Sequence, residues 1–163
     1  MQRRTALAAA PAALAGCMSL FPSPDAEATE MAIHEKLNAY RGERDLPALP
    51  MDGTLRDRAR AHSRDMAERD YYAHTSPDGV GPSERAGCAA GETLHRGDVG
   101  EMRNRGSEQS WNTINADGVA GYVAEGWRLS DAHSELIASP RWQTVGVGVH
   151  VTDTEFFATA LFC

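Results

Sequence analysis

The chain carries six histidines, three cysteines and 23 Asp and Glu residues, and their spacing excludes several hydrolytic chemistries. No His-Glu-x-x-His is present, so the zinc-protease helix with its built-in general base is absent. There is no Gly-x-Ser-x-Gly elbow, and spacing groups no Ser, His and Asp into a triad. His62 shares one stripe with Leu55, Ala59 and Met66, at intervals that suit a helix face, and is expected to be a satisfied core histidine. His34, His95 and His150 have no partner at ligand spacing and are expected at the surface. Any histidine and carboxylate that act together must therefore be brought together by the fold.

The elements that must position them follow from periodicity. Met31, Ile33, Leu37 and Tyr40 predict a helix over 30–40 closed by Arg41-Gly42, and the prolines of Leu46-Pro47-Ala48-Leu49-Pro50 predict an extended connector. A second helix carries the His62 stripe, capped by Thr54, with Arg64/Glu68 and Asp65/Arg69 as pairs on its wet side. Tyr71-Tyr72-Ala73-His74 leads into Thr75-Ser76-Pro77-Asp78-Gly79, a turn signal. Residues 79–118 are Gly-rich and polar and read as mostly loop with short elements. Val119, Tyr122, Val123 and Trp127 give a third helix, and Ser130 caps a fourth over 131–138, stopped before Pro140. Two C-terminal strands follow, Thr144 to Val149 and Glu155 to Phe162, turning near Thr152-Asp153. Helices early and strands late give an α+β layered domain, with Trp127 and Trp142 in its core.

Composition narrows the partners. One domain is the natural expectation for 163 residues, and 42% hydrophobic with 24% charged residues excludes disorder and a polytopic membrane protein. A net charge of −7 with no basic, aromatic-interleaved cluster excludes nucleic acid. Lys36 is the only lysine beside fifteen arginines; an acidic, lysine-poor surface suits high salt, and a GC-rich genome gives the same bias.

The first residues read as an address. Arg3-Arg4, an Ala-rich run from Ala6 to Ala15, and Leu14-Ala15-Gly16-Cys17 have the order of an export signal, too short to span a bilayer as a helix. The paired arginines point to the twin-arginine route. Leu-Ala-Gly-Cys resembles the lipobox of bacterial and archaeal lipoproteins. That implies a signal peptide over 1–16, a lipid on Cys17 that holds the protein in the bilayer, and a tether over 17–28 containing Pro22 and Pro24. The expected location is the outer face of the cytoplasmic membrane or the cell surface. Cys88 and Cys163 are then the remaining thiols; outside the cytoplasm they are most simply a disulfide, with two free buried thiols the alternative.

Five stretches carry a resemblance across residues 29–163. They are Ala59-Arg60-Ala61-His62-Ser63-Arg64-Asp65-Met66-Ala67, Tyr72-Ala73-His74-Thr75-Ser76-Pro77-Asp78-Gly79, Gly91-Glu92-Thr93-Leu94, Trp127-Arg128-Leu129-Ser130-Asp131-Ala132-His133 and Val145-Gly146-Val147-Gly148-Val149. In that order they resemble the CAP superfamily, the SCP domain of cysteine-rich secretory proteins, antigen 5 and plant pathogenesis-related proteins, in its short prokaryotic form. The resemblance implies an α+β fold, a three-layer α-β-α sandwich, with a groove lined by His74, Glu92 and His133. Two imidazoles and a carboxylate suit a divalent cation such as zinc, or form a hydrogen-bonded network without metal. Asn38, Arg41 and Arg85 fall where the family has structural braces. Two departures stand out. Thr93 replaces the usual Asn, and the second Glu found after the tryptophan in many members has no counterpart, Glu125 and Asp131 both missing its position.

The function so implied is a surface-anchored binding module whose groove takes a small ligand, lipid or peptide. The alternative is a metal-dependent hydrolase acting on extracellular peptides or envelope material, with Glu92 as its base.

Overall fold

The computed structural model describes residues 23–163; the leader, Cys17 and most of the expected tether lie outside the described residues. Helix α1 (Ala26–Gly42) starts earlier than its apolar periodicity suggests and takes in the end of that tether. The reason is Asp25, whose carboxylate accepts the Ala28 N–H at 2.7 Å and caps the first turn. Helix α2 (Gly53–Glu68) is capped by Asp52, not Thr54, through a 2.8 Å bond from Leu55 N–H. After α3 (Pro82–Ala86), the chain departs from expectation: β1 (Gly91–Asp98) is an eight-residue strand inside the stretch expected to be mostly loop with short elements. Its terminal glycine, second glycine and charged Arg96 and Asp98 hide the β signal, and pairing with a central strand supplies what propensity lacks. A small hairpin, β2 (Glu101–Met102) with β3 (Trp111–Asn112), leads to α4 (Ala116–Arg128). Then come α5 (Asp131–Ile137), β4 (Val145–Val151) and β5 (Glu155–Phe162). Ser130 does occupy the N-cap of α5, although its side chain makes no capping bond.

The sheet order is β1-β5-β4, antiparallel throughout, with Ala160 of β5 opposite both Thr93 and Val147. The Val-Gly-Val-Gly-Val run shows how the three layers form. Val145, Val147 and Val149 join Phe156, Ala158, Ala160 and Phe162 in a core shared with α1 and α4. Gly146 and Gly148 face the other way, where α2 lies directly on the strand. A Cβ at Gly146 would stand 2.2 Å from the Leu55 carbonyl carbon, and one at Gly148 2.0 Å from the Arg60 nitrogen. Ser63 of α2 completes that contact with bonds to Gly148 O (3.0 Å) and the Thr159 hydroxyl (2.9 Å). Trp127 and Trp142 are buried as expected. Trp127 also donates to Leu94 O at 3.0 Å, and truncating a buried tryptophan of this kind costs about 3–5 kcal/mol.

Two braces close the ends of the layers. Arg41, buried, donates to Pro47 O, Ile137 O and Ser139 O at 2.7–3.0 Å, and Asn38 binds both main-chain groups of Leu49. Glu30 of α1 reaches the free edge of β4, accepting from Val149 N–H at 3.0 Å and from Arg60 Nε at 2.6 Å. Cys88 and Cys163 form a disulfide with Cα atoms 6.1 Å apart.

Candidate functional site

Where α2 ends, the chain turns through Tyr71 and Ala73 to His74, whose side chain is 51% exposed. Beneath it lies Glu92, the second residue of β1, with its carboxylate 1% exposed. His74 Nδ1 stands 2.8 Å from Glu92 Oε1, and Arg85 of α3 donates to Oε2. The Arg85 guanidinium, 9% exposed, also donates to His74 O at 3.0 Å and Val80 O at 3.2 Å. One cation thus fixes the carboxylate and the loop that carries the imidazole. With Nδ1 held on Glu92, His74 directs Nε2 away from it, a fixed ring orientation of the kind a supporting carboxylate imposes.

His62 lies below this group, the core histidine foreseen, with a hydrogen-bond partner at Nε2. Its Nε2 faces Ala73 O at 3.1 Å and its Nδ1 faces the Tyr71 hydroxyl at 3.3 Å, while that hydroxyl donates to Asp65 at 2.5 Å. Burial, and then the charge of Arg85, hold the His62 imidazole below its ordinary range. Asp65 is therefore turned partly inward, and its helix partner Arg69 makes its main pair with Asp78.

His133 stands half-buried on α5, its basicity lowered by burial and then by the nearby charge of His74. It is close enough to feel His74, yet no hydrogen bond or ion pair among the described residues joins it to His74 or Glu92. Nor do any three His, Cys, Asp or Glu among the described residues form a group able to hold a metal ion. Both Glu92 oxygens are engaged by His74 and Arg85, so this set offers two imidazoles and no free carboxylate. The residues as arranged do not fit a three-ligand metal centre.

The three histidines expected at the surface are not exposed. His34 sits beside Asn38 and the Leu49 carbonyl, at 3.0 and 2.7 Å. His150 is half-buried. His95, on the face of β1 opposite Glu92, lies edge-on to Tyr122 with ring centroids 4.9 Å apart. Gly126 of α4 leaves room for that ring, since a Cβ there would stand 2.2 Å from His95 Cε1. Burial, and then the charge of His133, push the His95 imidazole down to about 4. The sequence signal for this contact is slight: a glycine inside a helix pattern, which often marks close packing. Thr93 shares the His95 face and is fully buried, so its substitution for Asn does not touch the Glu92 side of the strand.

Glu125 does not join the site. It accepts from Asn104 (3.0 Å), Ser107 (2.6 Å) and Trp111 (2.9 Å), which hold its carboxyl below the usual range against the effect of burial. Its work is to brace the 104–111 loop beside a hollow of about 260 Å³ between α1 and α4. Asp131 begins α5 on the exposed side.

Comparison with known proteins agrees with this architecture. The uncharacterized protein YkwD of Bacillus subtilis (strain 168) is 28% identical over 127 residues, covering 74% of this chain and 42% of its own length. The chain therefore spans about four tenths of that relative. An extracellular protein containing a SCP domain from Bacillus anthracis shares 25% identity with a TM-score of 0.64, over 84% of this chain and 40% of the other. An outer surface protein from Borrelia burgdorferi has a TM-score of 0.66 at 19% identity, covering 85% of this chain and 93% of its own, a likeness of fold. The model of the cysteine-rich secretory protein family, CAP, matches residues 34–163. With that match over most of its length and the three-layer sandwich to go with it, the chain belongs to the CAP family.

Proposed function

We propose that this protein is an exported, surface-anchored binding module whose groove, bordered by His74, Glu92 and His133, takes a small ligand, lipid or peptide. The observation that carries this reading is the buried Glu92 carboxylate, held by Arg85 on one oxygen and by His74 on the other. A general base must reach water, and the Glu92 carboxylate is only 1% exposed and already bound by His74 and Arg85, whereas a binding site gains from a ring fixed in advance. The geometry therefore speaks against Glu92 as the hydrolytic base and suits a groove whose imidazole is oriented before a ligand arrives. Export draws support from the leader read over 1–16, from the disulfide, and from the extracellular and outer-surface origin of the similar proteins from Bacillus anthracis and Borrelia burgdorferi. Anchoring through a lipid on Cys17 completes the reading.

The test is native mass spectrometry of the full chain recovered from envelope, beside the His74→Ala/His133→Ala variant, with envelope peptides assayed for cleavage in parallel. A bound species on the wild type that the variant loses, with no cleavage, is the expected result. Turnover abolished by Glu92→Gln would replace this reading with the hydrolase. The same species on both proteins would move binding away from the groove.

A further inference from the structure

We infer that the Cys88–Cys163 disulfide is a redox latch on His74: reduction releases the segment that carries Arg85 and frees the imidazole from Glu92. Cys88 lies between the two charged partners in sequence, three residues after Arg85 and four before Glu92. The stretch bearing it is thin. Its helix α3 has five residues, too few to hold itself without tertiary contacts, and ends at Gly87 in a left-handed turn. Beyond the bonds of Arg85, that stretch is held by Ala86, which packs on Leu55 and Leu161 and accepts from Arg58, by Cys88 and Ala90 at the margin of the same cluster, by Ser83 Oγ accepting the Ala90 N–H at 3.3 Å, and by the disulfide.

The two sulfurs are held unequally. Cys163 is fixed to the end of the sheet, its N–H donating to Thr144 O at 3.1 Å while its carbonyl accepts from Gln143 N–H at 2.7 Å and Thr144 N–H at 3.2 Å. Cys88 has no such ladder. When the bond opens, Cys163 stays, whereas Cys88 and its short helix lose their one covalent tie and keep only non-covalent contacts. Arg85 then loses its fixed approach to Glu92, and the loop that it binds through His74 O and Val80 O loosens with it. Both cysteines are partly exposed, so a dithiol can reach them. The step balances: a dithiol passes two electrons and two protons to the cystine, giving two cysteine thiols and the oxidised, cyclic reductant.

This inference rests on His74 as a groove residue, as proposed above, but its readout is the ring itself and needs no ligand. The experiment uses the full chain with Cys17→Ser, labelled with ¹⁵N in histidine, with and without dithiothreitol. In the oxidised protein His74 should populate the Nδ1–H tautomer that Glu92 accepts from. Reduction should move the ring at least twofold toward the Nε2–H tautomer, with unchanged circular dichroism. Cys88→Ser/Cys163→Ser should reproduce the reduced spectrum without reductant, and Arg85→Lys should shift the tautomer with the disulfide intact. An unmoved tautomer on reduction overturns the latch, and loss of the whole fold on reduction overturns it too, since the bond is then a staple of the domain.

Discussion

Two buried carboxylates of this protein, Glu30 and Glu92, teach opposite lessons. Glu30 is fully enclosed, with its oxygens spent on Arg60 and on the amide of Val149 at the edge of β4. Glu92 is almost as hidden and is likewise paired with an arginine, but its other partner is an imidazole half open to solvent. Burial with an arginine therefore does not mark a functional group. What separates the two is a partner that reaches the surface: Glu30 fastens a helix to a strand, whereas Glu92 holds an imidazole that is half exposed.

The contrast can be broken at Glu30 first. Glu30→Ala leaves Arg60 and the Val149 amide without their acceptor, and should cost about 3–5 kcal/mol, read as a lower midpoint in urea. His74 should keep its ring state in that variant wherever the domain stays folded. A second test uses pH, on the opposite face of β1. Because the folded His95 imidazole titrates near 4 and an unfolded one near 6.5, the unfolded chain binds the extra proton. Stability should be full above about pH 6.5 and fall as pH drops toward about 4, by ~3 kcal/mol at most from this group. His62 and His133, also lowered by burial, add to the same loss. Thermal melts across that window should show the decline, and His95→Phe should remove the share that belongs to His95.

Glu92→Gln should cost less than the Glu30 variant, about 1.5–3 kcal/mol, because Arg85 keeps His74 O and Val80 O as acceptors. Its larger effect should be on the His74 tautomer. His74→Ala, at an exposed position, should change stability by less than about 0.5 kcal/mol while removing any groove-bound species. Equal stability losses at Glu92 and Glu30, with no change in the imidazole, would erase the distinction between the two carboxylates.

How much of this was legible beforehand varies with the physics involved. The helices bearing Ile33, Leu55 and Val123, and the valine strand, announce themselves because each buries one face at a regular period. Strand β1 does not, since it owes its shape to β5 more than to its own residues. The half-buried state of His95 has the same character: nothing within a few residues signals that α4 will pack against it. His74 and Glu92 were marked by their neighbours in five ordered stretches, and the structure joins them. Arg85 was marked as a brace, but its partners were not, because the bond to Glu92 exists only after α3 folds back between the loop and the strand. His133 lies near, felt through charge more than contact.

The sheet order has a consequence for how this molecule comes into being. The strand in the middle, β5, is made last of the three, so β1 and β4 leave the ribosome without the strand that both pair with. Until residues 155–162 emerge, both apolar faces of the sandwich lack their centre, and a nascent chain halted earlier offers open edges to chaperones and proteases. Assembly must therefore wait on that strand, and its pairings are between distant residues, such as Gly91 with Phe162. Such long-range closure is slow. Quality control of the protein is in this way written into the order of its strands: a message that stops short of β5 cannot yield a partly finished sheet.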